Sequence, residues 1–192
     1  MNNDFNYDFK NSTNNPKETP RLHQINATYD SLQDRILLML NTTHGHEFRF
    51  WLTRRYLGLL WQALGHITGT FAVQRAPADP FLRSALSEFA EAQALSRADT
   101  QQSFTSGGYF PLGREPVLLS RITVTPLQQD QQTLRLTPEK GEGINLALNE
   151  DLAHILTNLL RQTAISAEWG LDLPLGLQAS SAFGSIRPPT LH

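Results

Sequence analysis

Residues 36–64 read ILLMLNTTHGHEFRFWLTRRYLGLLWQAL, and residues 132–160, which begin 96 positions later (132 − 36), read QTLRLTPEKGEGINLALNEDLAHILTNLL. Each stretch predicts a strand, a turn, a second strand and a helix, and Thr53 and Asn149 each stand where the N-cap of that helix belongs. Identical residues occupy six paired positions: Leu38/Leu134, Leu40/Leu136, Gly45/Gly141, Leu52/Leu148, Leu60/Leu156 and Leu64/Leu160. The sequence therefore predicts an internal duplication.

A shared hydrophobic pattern is the alternative explanation, because a hairpin followed by an amphipathic helix is a common motif. The equal register of turn glycine, strand end and helix cap favours duplication. A further strand extends each unit, near 23–30 in the first and near 117–125 in the second, since INAT at 25–28 matches ITVT at 122–125 when one residue is deleted. We therefore predict an α+β fold of two pseudo-twofold-related β-β-β-α units with antiparallel sheets. Both helices should cover one side of these sheets, which is lined by Phe48, Phe50, Leu146 and Leu148.

The chain is expected to form a single domain over residues 21–170. Its predicted parts and flanks are a first repeat at about 22–75, a helical insertion at 79–98, a loop at 103–116, a second repeat at about 117–167 and an irregular C-terminal extension at 171–192. Residues 1–20 are rich in Asn, Asp, Ser, Thr and Pro, which predicts a disordered tail. An alternative is that Phe5, Tyr7 and Phe9, which alternate, add a strand to a sheet edge.

Composition and charge exclude several classes of protein. The chain has 192 residues, of which 40% are hydrophobic and 18% charged, and this balance is typical of a globular protein. The net charge of −2 provides no basic field that would attract nucleic acid over a distance. Because cysteine is absent, disulfides, thiolate metal sites and cysteine nucleophiles are excluded. No signal-peptide pattern and no membrane-length apolar run occurs, so we expect a cytoplasmic protein without a membrane partner.

The helical insertion has a clear start. Asp79 and Pro80 suit the N-cap and the first helical position. Apolar residues then recur at helical spacing: Phe81, Leu82, Ala85, Leu86, Phe89 and Ala92. This helix is one candidate to cover another apolar surface of the domain.

The strand pattern of the first unit predicts an unusual outer face. Side chains alternate along a strand, so the face opposite the helices carries Arg35, Leu37, Met39, Arg49 and Trp51. The matching face of the second unit carries ordinary polar or small residues, namely Thr133, Arg135, Asn145 and Ala147. An apolar outer face is usually covered, and the candidates are the insertion helix, the C-terminal extension or another subunit. The other interpretation is a stacking surface for bases or another planar ligand.

Three residues at the start of the first repeat helix are further candidates for binding. Arg54 and Arg55 place positive charge in the first helical turn, where it opposes the helix dipole, so the pair could serve binding. A salt bridge to Glu47 or Asp34 is the alternative role. Tyr56 follows them on the apolar stripe of the same helix.

Catalytic and metal-binding patterns are weak. His44 and His46 flank a turn glycine and could share a metal if a third ligand came from Glu47, His23 or His66. Two polar histidines on an exposed turn explain the same pattern. No GxSxG, HExxH, GxGxxG or CxxC motif occurs. We therefore predict no catalytic residue, no metal site, no cofactor and no enzymatic activity.

Two resemblances extend this interpretation. The run EFRFWLTRR at 47–55, with the Leu/Trp helix after it and PLGREP at 111–116, resembles an uncharacterised family of small bacterial proteins over most of residues 22–170. That resemblance implies no assigned activity. The duplicated strand–helix unit resembles the architecture of Whirly- and PUR-type binders of single-stranded nucleic acid, in element order alone.

The sequence thus predicts a non-catalytic binding module. Its main expected role is protein interaction or self-association as a homodimer, through the outer face of the first repeat. The first alternative is single-stranded nucleic-acid binding, for which the candidate residues are Trp51, Tyr56, Arg35, Arg49, Arg54 and Arg55. A metal-dependent enzyme that uses the His-Gly-His turn is a further alternative.

Overall fold

The computed structural model describes residues 7–9, 20–76, 80–97 and 103–171. Its elements are β1 (Tyr7–Phe9), β2 (Leu22–Asp30), β3 (Arg35–Thr42), β4 (Glu47–Leu52), α1 (Arg54–Arg75), α2 (Pro80–Arg97), β5 (Val117–Leu118), β6 (Arg121–Val124), β7 (Gln132–Thr137), β8 (Ile144–Leu148) and α3 (Glu150–Ser166). The predicted N-cap Asp79, Phe5 and the extension beyond residue 171 lie outside the described residues.

The strands form two sheets of four. The first sheet has the order β2-β3-β4-β5 and the second has the order β1-β8-β7-β6. Three strands of each sheet form an antiparallel meander that leads directly into a helix, α1 or α3. The hairpin turns of both meanders contain a glycine with positive φ, Gly45 at 73° and Gly141 at 94°. The predicted α+β fold of two β-β-β-α units with a helical insertion is confirmed.

The two units exchange short strands. β5, which leads into the second meander, pairs in parallel with β4 of the first sheet, and β1, which precedes the first meander, pairs in parallel with β8 of the second. The sequence predicted one strand near 117–125, but the chain passes from one sheet to the other at residues 119 and 120. There the Leu119 N–H donates to Trp51 in the first sheet, and the Ser120 N–H donates to Thr137 in the second. The single-strand prediction was therefore wrong.

The N-terminal segment takes part in this exchange. Tyr7–Phe9 pairs with Ile144–Leu146 of β8, as the alternative interpretation of the alternating aromatic residues predicted. The remainder of the predicted tail, up to residue 19, lies outside the described residues.

One hydrophobic core joins the two units. Phe48, Phe50, Leu146 and Leu148 are buried on the inner side of the sheets, as predicted. Each repeat helix begins at its predicted N-cap. The Thr53 hydroxyl accepts the N–H of the third helical residue at 3.1 Å, and the Asn149 side-chain oxygen does the same at 2.9 Å.

Each repeat helix also contacts the first meander strand of the other unit. The Tyr56 hydroxyl of α1 donates to the carbonyl oxygen of Arg121 in β6, at 3.2 Å. The Thr163 hydroxyl of α3, which lies 2.8 Å from the Leu159 carbonyl oxygen of its own helix, also lies within hydrogen-bond distance of the Ala27 carbonyl oxygen in β2, at 3.3 Å. The two units therefore share one core, because neither helix packs only on its own sheet.

The insertion helix α2 packs against α1 and α3, which lie on the inner side of the sheets. It buries small residues there, namely Ser87, Ala90 and Ala94. The predicted apolar stripe faces away from the domain, with Phe81 83% and Phe89 59% exposed. The expectation that α2 covers the outer face of the first repeat is therefore wrong. None of the described helices combines the length and the apolar character that crossing a membrane requires.

Candidate binding face

The first sheet brings the predicted strand residues together on its outer side. Leu37 lies opposite Trp51, and Trp51 lies opposite Leu118, so three apolar side chains form a row across the sheet. Met39 lies opposite Arg49 in the next row. All of these side chains are partly exposed, and Leu118, which the sequence did not single out, is 44% exposed. We call this surface the outer face, which consists of Arg35, Leu37, Met39, Arg49, Trp51 and Leu118.

Tyr56 does not belong to this surface. It is only 4% exposed, and its ring lies in the core while its hydroxyl bonds the Arg121 carbonyl. Burial raises the pKa of this phenol above its usual value. The sequence prediction of Tyr56 as a binding residue is therefore corrected. The Thr53 cap fixes the phase of α1, and the third helical position then points into the core.

Arg54 and Arg55 are exposed at the start of α1. Glu47, which was a predicted partner for the pair, bonds Arg49 instead. Hydrogen bonds from Trp169 and Tyr29, followed by the charge of Arg54, lower the pKa of Asp34. The charge of Arg54 therefore acts on Asp34, the other predicted partner.

A buried carboxylate anchors a loop at one end of the outer face. Glu47 is fully buried, and its Oε1 accepts the Nε–H of Arg49 at 2.7 Å. Its Oε2 accepts the Ser106 hydroxyl at 2.6 Å and the Gly107 N–H at 2.7 Å. Burial by itself would raise the pKa of Glu47, but these hydrogen bonds hold the pKa below its usual value. Glu47 therefore stays ionised and holds the loop that contains Ser106 and Gly107.

Gly107 permits the close approach of this loop. A Cβ at Gly107 would lie 2.5 Å from the carbonyl oxygen of Gly45, so any other residue would push the loop away. The neighbouring Gly108 has open space at the same position. The requirement for glycine is therefore specific to position 107.

Amides on β2 and β3 hold the start of the same loop. The side-chain amide of Asn41 donates to the Thr105 carbonyl at 2.6 Å and to the Gln24 side-chain oxygen at 2.9 Å. That Gln24 oxygen also accepts the Thr105 N–H at 2.9 Å. The polar end of the outer side of the sheet is therefore closed by the protein's own loop, which the sequence did not predict as a cover.

An aromatic stack forms the boundary between this loop and the apolar row. Two guanidinium groups lie over the Phe110 ring, with Arg49 at 4.9 Å and Arg114 at 5.0 Å from its centroid. Arg49 also donates to the Arg114 carbonyl at 3.5 Å. The strand pattern contained one signal for this arrangement, because Glu47 and Arg49 are two residues apart and must share a face.

Few of the charged groups near the outer face form ion pairs among the described residues. Asp30 accepts two backbone N–H groups of its own hairpin turn, and Asp34 accepts the Tyr29 hydroxyl and the Trp169 indole N–H. Four arginines take part in none of the ion pairs among the described residues: Arg35, Arg54, Arg55 and Arg114. These four arginines therefore have no ion-pair partner within the part of the chain that the structure describes.

The second sheet provides an internal comparison. Thr133, Arg135, Asn145 and Ala147 occupy the positions that correspond to Leu37, Met39, Arg49 and Trp51. The large apolar side chains are therefore specific to the first unit, although both sheets have the same strand order within their meanders.

The His-Gly-His turn does not form a metal site with its neighbours. The His44 and His46 rings lie 6.3 Å apart, and His46 packs against Tyr109 at 5.2 Å. Burial, and then the nearby charge of His44, lower the pKa of His46. Both Glu47 carboxylate oxygens are already hydrogen-bonded. Over the described ranges, no group of three or more His, Cys, Asp or Glu residues could hold a metal ion.

No known protein family matches this chain, and neither does a curated protein or a solved structure. The resemblance to a family of small bacterial proteins therefore stays a prediction.

Proposed function

We propose that this protein is a non-catalytic binding module whose outer face contacts another protein chain, either a second copy or a different protein. The observation that carries the proposal is the row of Leu37, Trp51 and Leu118, which is partly exposed while α2 packs on the opposite side of the domain. Partly exposed apolar residues with arginines beside them are typical of an interface core and its rim.

The size of the apolar row limits what it can do alone. Burying what Leu37, Met39, Trp51 and Leu118 still expose, on the order of 200 Å², contributes about 5 kcal/mol at 25 cal/mol per Å². Association costs at least about 4 kcal/mol in lost translational and rotational freedom. The apolar row therefore gives only a weak complex, and a useful affinity requires that the partner also contacts the arginines.

Matched substitutions on the two sheets test the proposal. Trp51→Lys should abolish the contact, whereas Ala147→Lys, at the corresponding position of the second sheet, should leave it intact. Sedimentation velocity measures self-association. Affinity capture from the cells that produce the protein, with wild type and both variants as bait, measures binding of a different partner. A wild-type protein that stays monomeric and captures the same proteins as Trp51→Lys would contradict the proposal.

Single-stranded nucleic-acid binding is the second candidate function. It is favoured by Arg35, Arg54, Arg55 and Arg114, which form no ion pair within the described part of the chain and can contact phosphates. Salt separates the two candidates, because phosphate contacts weaken steeply as salt rises and apolar contacts do not. Titration of a fluorescent single-stranded oligonucleotide at low and high salt measures this difference. Salt-sensitive binding that Trp51→Lys removes would favour nucleic acid over a protein partner.

A further inference from the structure

Helix α2 buries its small residues and exposes its large apolar ones, which is the reverse of an ordinary surface helix. Its buried side carries Ser87, Ala90 and Ala94, whereas two phenylalanines point outward. Phe81 is 83% exposed and Phe89 is 59% exposed. Surface helices normally place their large apolar residues against the core. The outward side of α2 therefore presents large apolar side chains that stay exposed in the domain.

The exposed apolar residues of α2 between Phe81 and Ala92 form one continuous stripe. At 100° per residue, Phe81, Ala85 and Phe89 lie on adjoining turns of the same side. Leu82, which is 46% exposed, and the exposed Ala92 extend this side. We call these five residues the α2 stripe.

The exposed area of the stripe is comparable with that of a small dimer interface. From typical aromatic areas, the two rings leave about 250 Å² exposed, and the whole stripe leaves about 400 Å² per copy. Two copies would bury about 800 Å² of apolar surface. The smallest specific interfaces bury about 1,200 Å² in total, and about two thirds of a homodimer interface is apolar, so the two areas are similar. One copy alone exposes as much as a typical functional patch on a monomer.

The charges of α2 favour a second copy over a lipid surface. Arg83 and Arg97 are balanced by Glu88 and Glu91 along the helix. Helices that bind membranes usually carry an excess of Lys and Arg on their polar side. Because only Glu88 is charged among the residues bordering the stripe, two stripes can meet without bringing like charges together at the centre.

We propose that the α2 stripe is a self-association surface, on which α2 of a second copy docks in antiparallel orientation. Phe81 and Phe89 stand four residues on either side of Ala85, so a twofold axis near Ala85 sets Phe81 of each copy against Phe89 of the other. Such a contact is self-complementary and closes at two chains. The small side chain of Ala85 lets the two helices approach closely at the axis.

This inference does not rest on the proposed function, because the outer face and the α2 stripe lie on opposite sides of the helix layer. A dimer formed through α2 leaves both outer faces available. The protein would then present two copies of its binding face to a partner, which increases the apparent affinity when both are engaged.

Sedimentation velocity of the full-length chain over a range of roughly 1–100 µM tests the inference, because dimer formation depends on concentration. The test variant is Phe81→Gln with Phe89→Gln, since glutamine favours helix nearly as well as other straight-chain residues. Ile165→Gln on α3 is the matched control, because Ile165 is also strongly exposed, at 61%. A second variant, Ala85→Glu, places two like charges together at the axis.

We expect the wild type and Ile165→Gln to sediment as a dimer. Removing two aromatic residues from each copy should raise the dissociation constant by at least about 100-fold. Circular dichroism should be unchanged, because the substituted side chains are exposed. A wild type that is monomeric throughout the range overturns the inference. A dimer that the α2 variants leave intact but that Trp51→Lys dissociates also overturns it, and assigns self-association to the outer face.

Discussion

Replacing Glu47 by glutamine should loosen the loop that closes the polar end of the outer face. The carboxylate is fully buried and accepts hydrogen bonds from Arg49, Ser106 and Gly107 at 2.6–2.7 Å. Glutamine has nearly the same shape but keeps only one acceptor oxygen and adds two donor hydrogens. The Ser106 hydroxyl can rotate and accept from the new amide, but the Gly107 N–H and the Arg49 guanidinium can only donate.

The magnitude follows from these partners. Hydrogen bonds to a charged group contribute about 1.5–3 kcal/mol each. Glu47→Gln removes the negative charge that strengthens all three hydrogen bonds, and it also removes one of the two acceptor oxygens. Because the Arg49 side chain is 30% exposed, water replaces part of what it loses. We therefore expect the free energy of unfolding to fall by about 2 kcal/mol. Glu47→Leu, which removes both acceptor oxygens, should cost more, on the order of 3 kcal/mol.

Urea denaturation gives the change in stability, and hydrogen exchange gives its location. The Gly107 amide should exchange faster in Glu47→Gln, together with the rest of the loop at 103–116, while the amides of β7 and β8 keep their rates. Glu139→Gln is the control, because Glu139 is exposed in a turn of the second unit. In the wild type, protonation of Glu47 at low pH should have the same effect: the Gly107 amide should exchange faster and the free energy of unfolding should fall. Since the folded-state pKa of Glu47 is lowered, its contribution is present above pH 4.5 and is lost as pH falls through that folded pKa.

One pair of results would refute this reasoning. If the free energy of unfolding of Glu47→Gln stays within about 0.5 kcal/mol of wild type, as for an ordinary surface substitution, the three hydrogen bonds are not stabilising. If in addition the Gly107 amide exchanges at the wild-type rate, Glu47 does not hold the loop.

Three further predictions follow from the packing. Gly107→Ala should destabilise the protein measurably in urea denaturation while Gly108→Ala changes little, because only the first places a Cβ 2.5 Å from the Gly45 oxygen; equal effects would contradict the close approach. Tyr56→Phe should cost about 1 kcal/mol by the same assay, since it removes one buried hydrogen bond and keeps the ring. Burial lowers the pKa of His154 from its usual 6.5, so the unfolded chain takes up this proton first and stability should fall as pH drops below 6.5; His154→Leu should flatten that slope in thermal melts at pH 7, 6 and 5.

Short-range patterns in the sequence determined the repeated part of the fold. The alternation along β3 and β4 fixed which residues are buried, because successive side chains of a strand must point to opposite faces. Thr53 and Asn149 fixed the start of each repeat helix, because a cap bonds an N–H only three residues away. The same alternation placed Leu37, Met39 and Trp51 together on the outer face.

Contacts between distant segments decided the rest. The two-residue strand β5 pairs with β4 of the first sheet because the chain passes from the first sheet to the second at this point. No local sequence pattern specifies a pairing strand that is more than 60 residues away. The loop over Glu47 depends on the same kind of contact, since Gly107 must reach a carboxylate on β4. The hydrogen bond of the Tyr56 hydroxyl also depends on such a contact, since its partner, the Arg121 carbonyl oxygen, lies on β6 of the other unit.

Helix α2 shows why periodicity alone was insufficient. Its sequence contains two stripes at helical spacing, a large apolar one with Phe81 and Phe89 and a small one with Ala90 and Ala94. Hydrophobicity predicts that the larger stripe is buried, but close packing against α1 and α3 selects the smaller one. The sequence by itself therefore determined that residues 80–97 form an amphipathic helix, whereas the tertiary structure decided which side of it meets the domain, because that choice depends on the space its neighbours leave.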